Sequence, residues 1–280
     1  MNRLKCVQKI GGYYLLFILC KILADLFVLF FVSGSDISSS MSDQELYRAV
    51  SEVISQNASL VLLATYVLTG MYLLIKRTKS RRSLLAVKGL YGRVTVKKMI
   101  FGALMGASAG MWSFVILRLN ETVKSPFEVF VKSMQPSAVP EPLWLKITAS
   151  IVAAAVIEEV LFRGIILSYF LLLTRPVSAC ICQALLFATL FDGTNGWVYA
   201  FALGLITSLA VLRVSNIKAA IFIRLAFNGI MLMLDSCCAH IFSDPLSIRF
   251  MLIAGGILFV FFGSLYFGGR TSKRIVVRPR

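Results

Sequence analysis

The chain has 280 residues, of which 58% are hydrophobic and only 15% charged, with a formal net charge of +16 and a mean hydropathy of +0.83. Soluble domains carry roughly 45–50% apolar and about 25% charged residues, so this composition excludes a soluble enzyme, a disordered chain and a disulfide-stapled secreted domain. Nor does the positive charge point to nucleic acid, because it sits in short loops between apolar runs, where orientation in a bilayer requires it.

Each membrane crossing needs about 20 apolar residues. Apolar runs fall at about 12–34, 58–75, 99–117, 145–172, 177–191, 197–212, 217–235 and 250–268. They predict an all-α, polytopic transmembrane helical bundle of about eight spans. The connections alternate in charge. Arg3, Lys5 and Lys9 precede the first span without an acid, and Asp36, Asp43, Glu45 and Glu52 follow it against Arg48 alone. The next connection is basic from Lys76 to Lys98, whereas residues 118–144 are mixed. Arg175 and the pair Arg213 and Lys218 mark later turns, with Asp192, Asp235 and Asp244 between and after them, and the tail carries Arg270, Lys273, Arg274, Arg278 and Arg280. Lys and Arg stay on the cytoplasmic side, so both termini are expected there. The protein is expected to be a multi-pass protein of a bacterial-type plasma membrane, with membrane lipids as its surroundings. Three regions are expected: residues 1–140 with three spans and the basic loop, a core at 141–240, and a last span with basic tail at 241–280.

Cys6, Cys20, Cys180, Cys182, Cys237 and Cys238 lie in or beside apolar runs without zinc-like spacing, so they read as small buried hydrophobes. No cofactor and no metal is expected. Gly102, Gly106 and Gly110 recur every four residues, a stripe suited to close helix packing inside the protein.

The fourth run contains charges that an apolar helix should not carry. Glu158, Glu159 and Arg163 stand in Ala155-Val156-Ile157-Glu158-Glu159-Val160-Leu161-Phe162-Arg163-Gly164. An ionisable side chain in mid-span costs at least about 2.5–3.5 kcal/mol, so it marks a functional site by default. Glu159 and Arg163 are one helical turn apart and can pair, with Glu in the favourable N-terminal position. Glu158 lies about 100° round the helix and needs a partner from elsewhere. Lys21 and Asp25 are four apart in the first run and are expected to neutralise one another. Arg224, in the seventh run, has no acid within reach on its own helix. Glu158 and Glu159 against Arg163 and Arg224 sum to zero, which suggests one compensated cluster.

Glu158-Glu159-x-x-x-Arg163 in a mid-protein span resembles the first motif of the CPBP family, the CAAX-processing and bacteriocin-protection (Abi) intramembrane endopeptidases. The resemblance covers about residues 145–235. It implies a membrane peptidase in which Glu158 activates water, Glu159 and Arg163 support it, and Asn228 helps stabilise the oxyanion. The family's Phe-x-x-x-His is matched by Phe187-Ala188-Thr189-Leu190-Phe191, and its His-x-x-x-Asn by Arg224-Leu225-Ala226-Phe227-Asn228. Both histidines are therefore replaced, by Phe191 and Arg224. Phenylalanine can neither donate to an oxyanion nor exchange a proton, whereas arginine can donate but would hold Glu158 in an ion pair. His240 begins a His-x-x-x-Asp sequence beyond that spacing and reads as a loop histidine.

Three functions follow as expectations: a pseudoenzyme that binds a membrane peptide or a partner protein's helix in the intramembrane cavity, an active endopeptidase with Arg224 as oxyanion donor, or a small-solute or proton transporter. The first is preferred because both histidines are missing beside an intact Glu-Glu-x-x-x-Arg. Transporters are often built from two similar halves with broken spans, and no such halves are visible.

Overall fold

The computed structural model describes residues 2–32, 42–80, 94–121, 142–191, 193–237 and 245–268. His240, the connection at 81–93 and the tail at 269–280 lie outside them. Among the described residues the fold is all helical and contains no strand. The helices are α1 (Arg3–Val32), α2 (Asp43–Gln56), α3 (Ala58–Ser80), α4 (Val96–Glu121), α5 (the continuous helical run 143–173), α6 (Pro176–Ala188), α7 (Gly193–Val214), α8 (Ile217–Cys237) and α9 (Pro245–Phe267).

Each of the eight apolar runs lies mainly on helix among the described residues. Among the described residues, six stretches are long and apolar enough to cross a membrane: Arg3–Phe31, Ala58–Thr78, Val96–Ile116, Trp197–Val214, Ile217–Leu234 and Leu246–Phe267. The other two differ for physical reasons. α5 carries its three charges near its centre. α6 has 13 residues, which at 1.5 Å per residue is about 20 Å, short of the roughly 30 Å hydrocarbon core. The molecule is an integral multi-pass membrane protein.

α5 is the centre of the bundle and packs against α1, α3, α6 and α8. One core cluster brings together Tyr13 and Phe17 of α1, Tyr66 of α3, Phe162 and Ile165 of α5, Phe187 of α6 and Ala220 of α8. α4 lies between α8 and α9 and, with Phe114, joins Leu203 of α7 and Phe227 of α8 in a second cluster. The turn from α5 to α6 is set by an extended Thr174 and by Pro176 in the first turn of α6; proline's fixed φ and missing donor suit that position.

Within the acidic connection after the first run, Asp43–Gln56 forms a helix, α2, on the surface with no buried residue. Its start is a capping box: the Ser42 hydroxyl accepts from the Glu45 backbone N–H, and Glu45 accepts from the Ser42 N–H at 2.9 Å. The Ser42 backbone N–H, and secondarily its hydroxyl, hold the Glu45 carboxyl below its ordinary value.

The glycine stripe packs inside the molecule. A Cβ on Gly106 would collide with the Ile223 carbonyl of α8, and one on Gly110 with Ile230 and the Phe227 carbonyl, while Gly102 faces Tyr266 of α9. Backbone cannot yield as a flexible side chain can. Gly106→Leu is therefore expected to force α4 and α8 apart and to lower stability by about 1–3 kcal/mol, read as a lower melting temperature of the detergent-solubilised protein. An equal change in Gly12→Leu, whose glycine faces open space, would contradict the close-packing argument. Cys6, Cys20 and Cys180 are buried and unpaired, which matches their reading as small hydrophobes. Cys237 and Cys238 have no described side chain. Lys21 is exposed and Asp25 half-buried, and the Asp25 Oδ1 is buried without a hydrogen-bond partner.

Candidate functional site

α5 is not uniformly wound. The Ala154 N–H bonds the Ala149 carbonyl and the Leu167 N–H bonds the Phe162 carbonyl, each five residues back. These are π-helical segments, Ile147–Ala153 and Glu159–Ile166, flanking a short α segment, Ala154–Glu158. Such widening is rare and concentrates at functional sites. Glu158 closes the α segment and Glu159 opens the second π segment, so both carboxylates stand at the change of winding.

Glu159 and Arg163 make the ion pair expected from their spacing, Oε1 to Nη1 at 3.1 Å, with both side chains fully buried. Glu158 is satisfied from two other helices. Its Oε2 meets Nη2 of Arg224, on α8, at 2.6 Å, and its Oε1 accepts a hydrogen bond from the Tyr66 hydroxyl, on α3, at 2.5 Å. Arg224 also reaches Glu159, Nη1 to Oε1 at 3.9 Å. Two carboxylates and two guanidinium groups thus form one buried, formally neutral cluster. A charge so far from water is tolerated only when paired and hydrogen-bonded.

Aromatic rings complete the site. The guanidinium carbon of Arg163 lies 4.3 Å from the Phe187 ring centroid and that of Arg224 lies 5.3 Å from it. Both are within the range over which a ring's π face attracts a cation. Phe162 meets Phe187 edge-on at 5.1 Å, and Phe191 meets it at 5.3 Å. Phe191 lies in the turn after α6 and so joins the site through the Phe187 ring. One turn beyond Arg224, the Asn228 Nδ2 donates to the Ser150 carbonyl at 2.7 Å. That bond ties α8 to the first π segment of α5 and places the Asn228 amide on the backbone.

The fold therefore gathers Glu158, Glu159, Arg163, Phe187 and Arg224, with Phe191 and Asn228 at the margins. Sequence reasoning missed Tyr66. A lone tyrosine in an apolar run is ordinary, and its partner is 92 residues away. Only the cost of burying an unsatisfied hydroxyl could have flagged it.

The chemistry open to this arrangement is narrow. Each carboxylate already faces a guanidinium, and among the described residues no group of three His, Cys, Asp or Glu side chains converges to hold a metal. Some donors remain: Nε of Arg224, and Nε and Nη2 of Arg163, are buried without a hydrogen-bond acceptor, while Nη1 of each faces Glu159. Such groups suit a carbonyl oxygen or a developing negative charge. The chain matches no curated protein and no solved structure. The segment that holds the charged cluster, residues 140–230, matches the model of the Rce1-like family, described as Type II CAAX prenyl endopeptidase Rce1-like.

Proposed function

We propose that the chain is a CPBP-type, Rce1-like membrane protein whose peptidase activity is lost or strongly reduced, and that it acts by binding a membrane peptide or a partner protein's helix. The supporting observation is the state of Glu158. The residue at the general-base position has one oxygen on Arg224 at 2.6 Å and the other on Tyr66 at 2.5 Å. A base must orient a water and take its proton. A carboxylate held on both oxygens in a low-dielectric interior is less free to do either. Phe191, at the position of one family histidine, has no proton to give. Binding needs the space between helices but not the base. The basic residues between and beyond the apolar runs support cytoplasmic termini, in keeping with a bacterial-type plasma membrane.

The test compares new protein N-termini, by mass spectrometry, in cells lacking the native protein. Removing both glutamates would leave two buried guanidinium groups unpaired, so the control variant is charge-balanced: Glu158→Gln/Arg224→Gln. The expected result is the same set of N-termini for wild type and variant at matched membrane expression. Cleavages found only with the wild type would overturn the proposal and name the substrate.

One observation favours a second reading, an active endopeptidase. Arg224 keeps Nε without a hydrogen-bond acceptor, so it has a donor left for an oxyanion while Nη2 holds Glu158. The same comparison of N-termini separates the two.

A further inference from the structure

Tyr66 belongs to the N-terminal half of the chain, outside residues 140–230, yet its hydroxyl touches the central carboxylate of the site. The ring needs no hydroxyl in order to pack. It is 4% exposed and sits against Phe17 with ring centroids 6.4 Å apart, a role phenylalanine would fill without burying a polar atom. Only Glu158 accounts for the oxygen. A carboxylate can rotate about its last carbon–carbon bond. One donor leaves that rotation open, whereas donors on different oxygens, from helices on different sides, close it. Tyr66 binds Oε1 from α3 and Arg224 binds Oε2 from α8.

We propose that Tyr66 is a positioning residue of this site, and that its hydroxyl and Arg224 clamp the Glu158 carboxylate in one orientation. The proposal rests on the reading above only in taking Glu158 as the general-base position. The site is then shared between the two halves of the chain: a shift of α3 relative to α5 releases one oxygen of Glu158 without breaking its ion pair. Any occupant that contacts Glu158 through Oε1 shares that oxygen with Tyr66 or displaces it.

The experiment uses dicyclohexylcarbodiimide, an apolar reagent that adds to protonated carboxyl groups within membranes, on the full chain in lipid vesicles. Mass spectrometry reads the labelling at Glu158 and Glu159 separately. Freeing Oε1 is expected to raise labelling of Glu158 about tenfold in Tyr66→Phe, the factor that loss of one hydrogen bond to a charged group carries, with Glu159 unchanged. Tyr66→Leu, which removes the hydroxyl by another route, is expected to do the same and serves if the phenylalanine variant does not accumulate. Equal labelling of Glu158 in wild type and variants would overturn the clamp. So would an equal rise at both glutamates, because general loosening of the bundle would explain it. The labelling outcome is independent of cleavage: Glu158-dependent N-termini in the wild type would overturn the proposed loss of activity and leave the Tyr66 result standing.

Discussion

Arg224→Gln is expected to destabilise the protein by about 3–5 kcal/mol, because it leaves Glu158 as an uncompensated buried charge. The guanidinium is the cation nearest Glu158, at 2.6 Å, and both side chains are nearly inaccessible. A single domain has only about 5–15 kcal/mol of net stability. The variant should therefore accumulate poorly in membranes and melt well below the wild type in detergent. The charge-balanced variant Glu158→Gln/Arg224→Gln is expected to recover part of the loss, since removing both partners abolishes the desolvation penalty with the attraction. The pair's coupling, from the four melting curves of the cycle, should fall at the upper end of the roughly 0.5–3 kcal/mol range for contacting residues. Additive losses would mean that Arg224 supports the fold through packing alone, and the ion-pair reading of the site would fall with that result.

Arg163→Gln should cost a similar amount, about 3–5 kcal/mol, by a more local route. Arg163 is fully buried and faces Glu159 at 3.1 Å on its own helix, and its guanidinium lies over the Phe187 ring at 4.3 Å. The ring contact is a separable part of that cost. A desolvated cation over an aromatic face is worth about 2 kcal/mol, so Phe187→Leu is expected to destabilise by at least about that much while keeping both ion pairs. The effects of Arg163→Gln and Phe187→Leu should then be strongly non-additive in melting temperature. Simple additivity would show that Phe187 contributes only its volume.

These predictions depend on features of unequal legibility in the sequence. Hydropathy located every helix that carries an apolar run, because a long apolar segment in a bilayer must satisfy its backbone internally and a helix does so locally. The Glu159–Arg163 pair was legible for the same reason, its partners being one turn apart. The glycine stripe was legible as a close-packing surface, although only the structure identifies α8 and α9 as what it packs against. α2 carried a readable signal in Ser42-Asp43-Gln44-Glu45, which the acidic character of the connection obscured. Apolarity continues past Ala188 while the helix α6 stops there, so hydropathy overstates the helix's length.

The site was legible only in its first half. Sequence showed that Glu158 and Arg224 each lacked a partner nearby and that the four charges summed to zero. The ion pair expected of Arg224, at the position of a family histidine, is the one the structure makes with Glu158 across 66 residues of chain, but the sequence did not show that Tyr66 reaches the same carboxylate across 92. Nor did it show that Phe187 carries both guanidinium groups on its ring, or that α5 winds wide where the glutamates stand. Local spacing determines which residues share a helix face. Which faces meet is decided by tertiary packing, where a buried charge takes the partner that the assembled helices bring within reach.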